Sequence, residues 1–287
     1  MGILDSVISA SKAEGAAHVN ILVYGNSGVG KSKLGAGSSE RPLIALTERQ
    51  AMITIRESNP QAAMVEINCW EDLQALFKEA NEGIRAGTFP YDCIVLDSLT
   101  EMQTKLRREL EKGKDAKLIQ GDGSLSMKGW GVLIDRTTSL VSSFRDLPID
   151  FVCLCLCDEQ VNEETGVRTY RPSVNGRKLP GDLASFHNAV WYLFTTSANP
   201  LEDPAHEKGR ELQYVALTRG ASSEYLTKGH EALATYENPS DVRQMMDLMR
   251  SYWKEREVSP RRAVEVSARA ERVAAIAKKP HTKKAGK

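Results

Sequence analysis

The amino-acid sequence predicts an α/β protein with a mainly parallel central sheet flanked by helices, closed by a C-terminal helix and a basic tail. Two observations carry that expectation. Short apolar runs alternate with segments of helical period, the pattern of parallel strands joined by helical crossovers, and the first apolar run leads straight into a glycine-rich turn. A third bounds the size: 287 residues, 41% of them hydrophobic, bury one good core with room for a small appendage, so one large domain is expected.

Residues 1–18 read as an N-terminal segment and 19–238 as the core. Residues 19–24 are the first buried strand and 43–46 a second short one. Over 71–85, Leu73, Leu76, Phe77 and Ala80 recur at three- and four-residue spacing, which predicts a helix. Residues 93–96 are a third buried strand, and 99–110 a helix with a very polar outer face. Residues 111–129 are rich in Gly, Lys and Asp without periodicity and read as a long mobile loop, of a length that is usually functional or disordered. A helix over 132–144 and a fourth central strand over 151–157 follow.

In that strand Cys153, Cys155 and Cys157 alternate with Leu154 and Leu156, so all three thiols share one face. Ligands two apart on a strand lie roughly 6.6 Å from each other and close poorly around one ion, which favours buried thiols over a metal site. Glu164-Thr165-Gly166 has the chemistry of a hairpin turn projecting from the sheet. Residues 190–195 and 212–218 are further strands, and 224–227 a short one toward the sheet's edge. The helix over 239–258 opens with Ser240 as its cap and Asp241 in its first turn, and Val242, Met245, Met246, Met249 and Trp253 form its apolar stripe. Residues 259–287 are the basic tail.

Formal net charge is zero but unevenly spread: 254–287 carry eleven Lys or Arg against four Glu, leaving an acidic body. Such a tail is either a solvated end or a contact for a polyanion or an acidic partner. No stretch approaches the roughly 20 apolar residues of a membrane span, and the first fifteen residues lack the blocks of a secretory signal, so a cytoplasmic protein without membrane contact is expected. Met1 to Ser6 satisfy the loose N-myristoylation pattern, which matters only in a host with the transferase. Five cysteines, odd in number and sparse, are no disulfide framework.

Gly25-Asn26-Ser27-Gly28-Val29-Gly30-Lys31-Ser32 has two glycines at the spacing that lets consecutive backbone N–H groups turn inward around a phosphate, followed by the start of a helix. In this P-loop pattern Lys31 reaches the β- and γ-phosphates and the Ser32 hydroxyl holds Mg²⁺, so the expected ligands are ATP and Mg²⁺. Asp97 ends the apolar run 93–96 and supplies the second metal carboxylate, a role compatible with capping the helix that follows. Hydrolysis also needs a group that orients and deprotonates water. Glu48, ending the strand after the P-loop helix, is the expected base; Gln160 or Asp158, after the fourth strand, is the expected γ-phosphate sensor, with Glu159 the alternative base.

The order GNSGVGKS, RPLIALTE, YDCIVLDSLTEM, FVCLCLCDEQ, hairpin, GRKLPGDLASFHNAVWYL resembles the phage RecA-like P-loop ATPases, a group that includes single-strand annealing recombinases with a RecA- or DnaB-like core. The likeness spans roughly 19–235. It implies an oligomeric ATPase, ring or filament, acting on single-stranded DNA in recombination, annealing or replication, with nucleotide at subunit interfaces. In the family, a late segment like Tyr225-Leu226-Thr227-Lys228-Gly229-His230 supplies Lys and Arg fingers to a neighbour's γ-phosphate; here Lys228 is kept and His230 stands where the Arg would be. The resemblance further implies DNA contact through Arg168, Tyr170, Arg171, Arg177 and Lys178, a mixture of cations and an aromatic suited to backbone contact and base stacking, with Lys112, Lys114, Lys117 and Lys128 added by the long loop. A single-strand-binding or replication protein is a candidate partner for the tail. Two other readings stay open: a P-loop kinase, for which no Arg-rich lid is evident, and a nucleotide-controlled assembly switch without turnover.

Overall fold

The computed structural model describes residues 18–113, 115, 117–197, 212–220 and 224–255. The chain divides into a compact unit of 16–250, which carries everything below except the last five residues of the final helix, and a second of 1–15 with 251–287. The tail, the N-terminal segment and Lys114 therefore lie outside the described residues.

The sheet runs β3 (Ala63–Glu66), β2 (Pro42–Leu46), β4 (Cys93–Asp97), β5 (Asp150–Val161), β1 (Asn20–Gly25), β7 (Ala189–Ser197), β8 (Leu212–Leu217), β9 (Tyr236–Glu237). From β3 to β7 every pairing is parallel; β8 and β9 add antiparallel strands, and β6 (Arg168–Pro172) folds back on the far half of β5 as a hairpin. All residues of β2 and β4 and the first six of β5 are buried, as the continuous apolar runs of a sheet covered on both faces require. The crossovers are α1 (Lys31–Gly37), α2 (Ala51–Ser58), α3 (Trp70–Ala86), α4 (Leu99–Lys112), α5 (Met127–Arg145) and α6 (Leu179–Phe186), with α7 (Val242–Glu255) last. This is the α/β architecture expected, including the C-terminal helix.

Three elements escape sequence reading for physical reasons. Helix α2 buries only Ile55, so it has no apolar stripe to detect. Strand β3 is four residues long at the sheet's edge and nowhere fully buried. Helix α6 carries Pro180 and Gly181, which read as a turn, yet proline is tolerated in a first helical turn.

Four expectations need correction. The loop expected over 111–129 is shorter and structured: α4 runs to Lys112, α5 begins at Met127, and between them Ile119 bridges Leu125, which is 1% exposed. A Cβ on Gly129 would lie 2.2 Å from the Leu118 carbonyl oxygen, so the apparent loop glycine is a close-packing residue of α5. Strand β5 does not stop at Cys157 but continues to Val161, because the hairpin pairs Asp158 with Arg171 and Gln160 with Thr169. Residues 224–227 form no strand; this segment makes isolated bridges at Tyr225 to Tyr170 and at Lys228 to Val190. The final helix is preceded by a 3-10 turn, Pro239–Asp241, whose cap is Asn238, accepting from the Ser240 N–H, rather than Ser240.

His187, at the end of α6, is 1% exposed; its Nδ1 lies 2.7 Å from the Leu183 carbonyl and its Nε2 has no protein partner. Burial depresses its pKa to about 4. The neutral ring is therefore favoured in the folded state, and its contribution is full above the unfolded value of 6.5 and lost as pH falls toward 4. Between pH 7 and pH 5 this one group should cost about 2 kcal/mol of stability. Chemical denaturation at both pH values, repeated on His187→Gln, checks it: the variant should lose most of that pH dependence.

Candidate functional site

The glycine-rich loop follows from where β1 ends. At Gly25 a Cβ would sit 2.4 Å from the Leu193 carbonyl oxygen on the neighbouring strand, so only glycine lets β1 run flush with β7 into the turn. Gly28 and Gly30 then adopt φ 83° and 89°, left-handed values that turn the backbone back on itself before α1 starts at Lys31. Helix α1 has no side-chain cap on its first turn.

Lys31 is not an exposed loop lysine. It is 8% exposed, and its ammonium donates to the carbonyls of Gly25 (2.9 Å) and Asn26 (2.7 Å), wrapping the side chain around the inside of the loop. Burial lowers its pKa, against the opposing pull of Asp97 and other nearby acidic groups, Glu48 among them.

Asp97 reaches the same place from β4. Although β4 is separated from β1 by β5, the register aligns Asp97 with Leu154, two residues short of the Leu156 that pairs with Gly25. The carboxylate is 8% exposed, its Oδ2 is buried without a protein partner, and the Ser32 hydroxyl hydrogen-bonds to it. Burial raises its pKa, with Ser32 and Lys31 pulling the other way. A buried carboxylate oxygen left unpaired beside a serine hydroxyl suits a hard, oxygen-seeking cation. The Asp97–Ser98 peptide bond is cis, and Ser98 caps α4 through the Glu101 N–H.

Thr47, which no sequence pattern singles out, locks the ends of β2 and β4 together. Its hydroxyl donates to the Asp97 carbonyl (3.0 Å) and accepts from the Ser98 N–H (2.9 Å), and its own N–H donates to the Asp97 carbonyl (2.8 Å). Glu48, the next residue, is thereby held exposed at the same crevice. One cleft of about 340 Å³ is lined by Gly28, Lys31, Ser32, Glu48 and Asp97, joined by Leu156 and Tyr214. It opens at the carboxyl ends of the strands, where open α/β sheets take their ligands. A larger cavity, about 540 Å³, lies at the opposite ends, among His18, Ser39, Asp150, Arg243 and Arg250.

The other expected residues lie away from this cleft. Gln160 is exposed on the hairpin arm, four residues and roughly 13 Å of strand beyond Leu156. Asp158 accepts from Arg171 Nε (3.0 Å) and Glu159 from Arg168 (2.7 Å). Lys228 sits by Val190, near the start of β7 and at the opposite end of the sheet from the P-loop; its ammonium donates to the carbonyls of His187 (2.6 Å) and Ser185 (3.4 Å) at the end of α6. His230 is buried and accepts from the Ala232 N–H. The Tyr170 ring is half-buried in an aromatic stack, 5.0 Å from Tyr225 and 5.8 Å from Tyr192. Arg177 and Lys178 are exposed just before α6. Among the described residues, no helix is long and apolar enough to cross a membrane.

A family model described as an AAA domain matches residues 17–198, which contain the P-loop, Glu48, Asp97 and the hairpin. Similar solved structures include the flagellar accessory protein FlaH from Methanocaldococcus jannaschii, at 9% identity and TM-score 0.36, covering 72% of this chain and 80% of that one. The RadB recombinase is similar at 13% identity and TM-score 0.40, covering 78% and 90%. No curated protein matches the chain.

Proposed function

The chain belongs to this AAA-domain family, and from that premise we propose that it binds ATP at the P-loop, hydrolyses it, and does so as an oligomer on single-stranded DNA. The observation that carries the first part is the convergence on one cleft at the strand ends of Lys31 and Ser32, which open α1, Glu48, which follows β2, and Asp97, which ends β4. The parallel sheet brings these strand ends to one edge, and a buried carboxylate beside a buried ammonium there is costly to keep without a use.

Within that reading each group has a task. The loop N–H groups cradle the β-phosphate, and Lys31, released from the Gly25 and Asn26 carbonyls, transfers its hydrogen bonds to β- and γ-phosphate oxygens. Ser32 and Asp97 would hold Mg²⁺, which there would offset negative charge on the β- and γ-phosphates. Glu48 stands at the γ end, exposed enough to meet a water and close enough to Lys31 and Asp97 to orient it against phosphorus, taking its proton as the water oxygen bonds to the γ-phosphorus and the bond to the β–γ bridging oxygen breaks, so that ADP leaves with that electron pair. For Lys228 to serve a neighbour's γ-phosphate, its ammonium must first leave the α6 carbonyls.

DNA contact rests on the hairpin and the residues before α6. Arg168 and Arg171 are paired with the hairpin's own carboxylates; the exposed Arg168–Glu159 pair is worth under about 1 kcal/mol, so phosphates can displace it, whereas the Arg171–Asp158 pair is partly buried. Arg177 and Lys178 add two exposed cations nearby. A basic tail on an acidic body adds a second surface for a polyanion or a replication partner.

The test is the ATPase rate with and without single-stranded DNA, at two protein concentrations a hundredfold apart. The proposal expects DNA to raise the rate and dilution to lower the rate per subunit. ADP production that ignores both but requires a small-molecule acceptor would point instead to a kinase.

A further inference from the structure

We propose that Tyr214 is the platform on which the nucleobase stacks, so that the site takes an aromatic nucleoside triphosphate rather than a bare polyphosphate. The inference rests on the P-loop reading and adds the end of the ligand that the loop does not define.

Direction comes from the sheet. Glu48, two residues beyond β2, and Asp97, at the end of β4, lie on the β5 side of β1 and mark where the γ-phosphate and its water belong. A nucleotide whose β-phosphate is seated in the loop must therefore send its α-phosphate, ribose and base the other way, across β1 toward β7 and β8. On that side Tyr214 projects from β8 into the mouth of the same cleft. Its ring lies against the loop: a Cβ built on Gly30 would be 3.3 and 3.6 Å from two ring carbons. Any side chain at Gly30 would push the ring away, so the glycine that shapes the loop also lets the tyrosine approach it.

The ring is not spent on packing. Tyr214 is 39% exposed, unlike the buried Tyr192 three residues away in the strand pairing, and no aromatic partner stacks on it among the contacts of the described residues. On the ring's other side Lys33, Leu34, Pro239 and Ser240 line a slot of only about 10 Å³, too small for a base, so a base would lie over the exposed part of the ring in the main cleft of about 340 Å³. An open π-face with a lysine at the edge suits a flat heteroaromatic ring, and stacking on an aromatic is tolerant of which base it is.

The experiment compares ATP and inorganic tripolyphosphate binding, with Mg²⁺, by calorimetry on the full chain and on Tyr214→Ala, Tyr214→Leu and Tyr214→Phe, each checked by thermal melting. The expected result is a roughly tenfold weaker ATP affinity for the Ala and Leu variants, wild-type affinity for Phe, and tripolyphosphate affinity within twofold throughout. The Leu variant keeps apolar bulk over Gly30 and so separates a lost π-face from a loosened loop. ATP affinity unchanged in the Ala and Leu variants, or equal losses for both ligands, would overturn the inference while leaving the P-loop reading in place. A wild-type chain that binds neither ligand would overturn both.

Discussion

Lys31→Ala should weaken ATP binding by about a hundredfold or more while leaving the chain folded. The ammonium is the one cation buried at the loop among the described residues, and hydrogen bonds between a desolvated charge and phosphate oxygens are worth about 1.5–3 kcal/mol, the upper end of which is about a hundredfold in affinity. The effect on folding should be much smaller. Without nucleotide the ammonium donates to two neutral carbonyls, Gly25 and Asn26, and burial already opposes its charge. Removing it deletes two hydrogen bonds but also relieves that desolvation, for a net cost of about 1 kcal/mol. Equilibrium binding of a fluorescent ATP analogue, beside urea denaturation of both proteins, gives the two numbers; ATP affinity unchanged in a folded variant would remove Lys31 from the site.

Glu48→Gln should keep ATP binding within a few fold and slow hydrolysis by roughly a hundredfold or more, the usual scale for losing a positioned general base. The split follows from geometry. Glu48 is exposed at the γ end of the cleft and held there by the Thr47 contacts to Asp97 and Ser98, so an amide of the same shape keeps the β2 end in place but cannot take a proton. Single-turnover hydrolysis separates this from a binding defect. Hydrolysis intact in Glu48→Gln and lost in Glu159→Gln would shift the base to the hairpin, where Glu159 is now paired with Arg168.

These expectations show what a sequence can and cannot disclose. The loop, Asp97 and Glu48 are legible because each ends or follows a continuous apolar run, and a buried parallel strand puts its last residue at the carboxyl edge whatever surrounds it. Strand order is not legible: nothing in the sequence says that β5 separates β4 from β1, the arrangement that sets Asp97 across from Lys31. Thr47 and Tyr214 escape for a related reason. One acts through a neighbouring strand's backbone and the other through a glycine nearly two hundred residues earlier, and neither contact leaves a local pattern. The hairpin misleads in the opposite sense. Asp158, Glu159 and Gln160 look like a strand end because Cys157 closes the apolar run, yet antiparallel pairing with β6 carries the strand four residues further and lifts Gln160 off the cleft. Lys228 lies at the opposite end of the sheet from the P-loop, and its tie to the α6 carbonyls is visible only in three dimensions.

The most direct measurement of the central claim is amide hydrogen exchange on the full chain with and without Mg²⁺ and ATP. Bound nucleotide should slow exchange at Gly28, Val29, Gly30, Lys31 and Ser32, whose N–H groups would donate to phosphate, and should leave Ser38, Ser39 and Arg243, at the opposite ends of the strands, unchanged. Protection at the larger cavity beside Ser39 and Arg243 with none in the loop would contradict the account, because the nucleotide would then be bound by a site other than the P-loop.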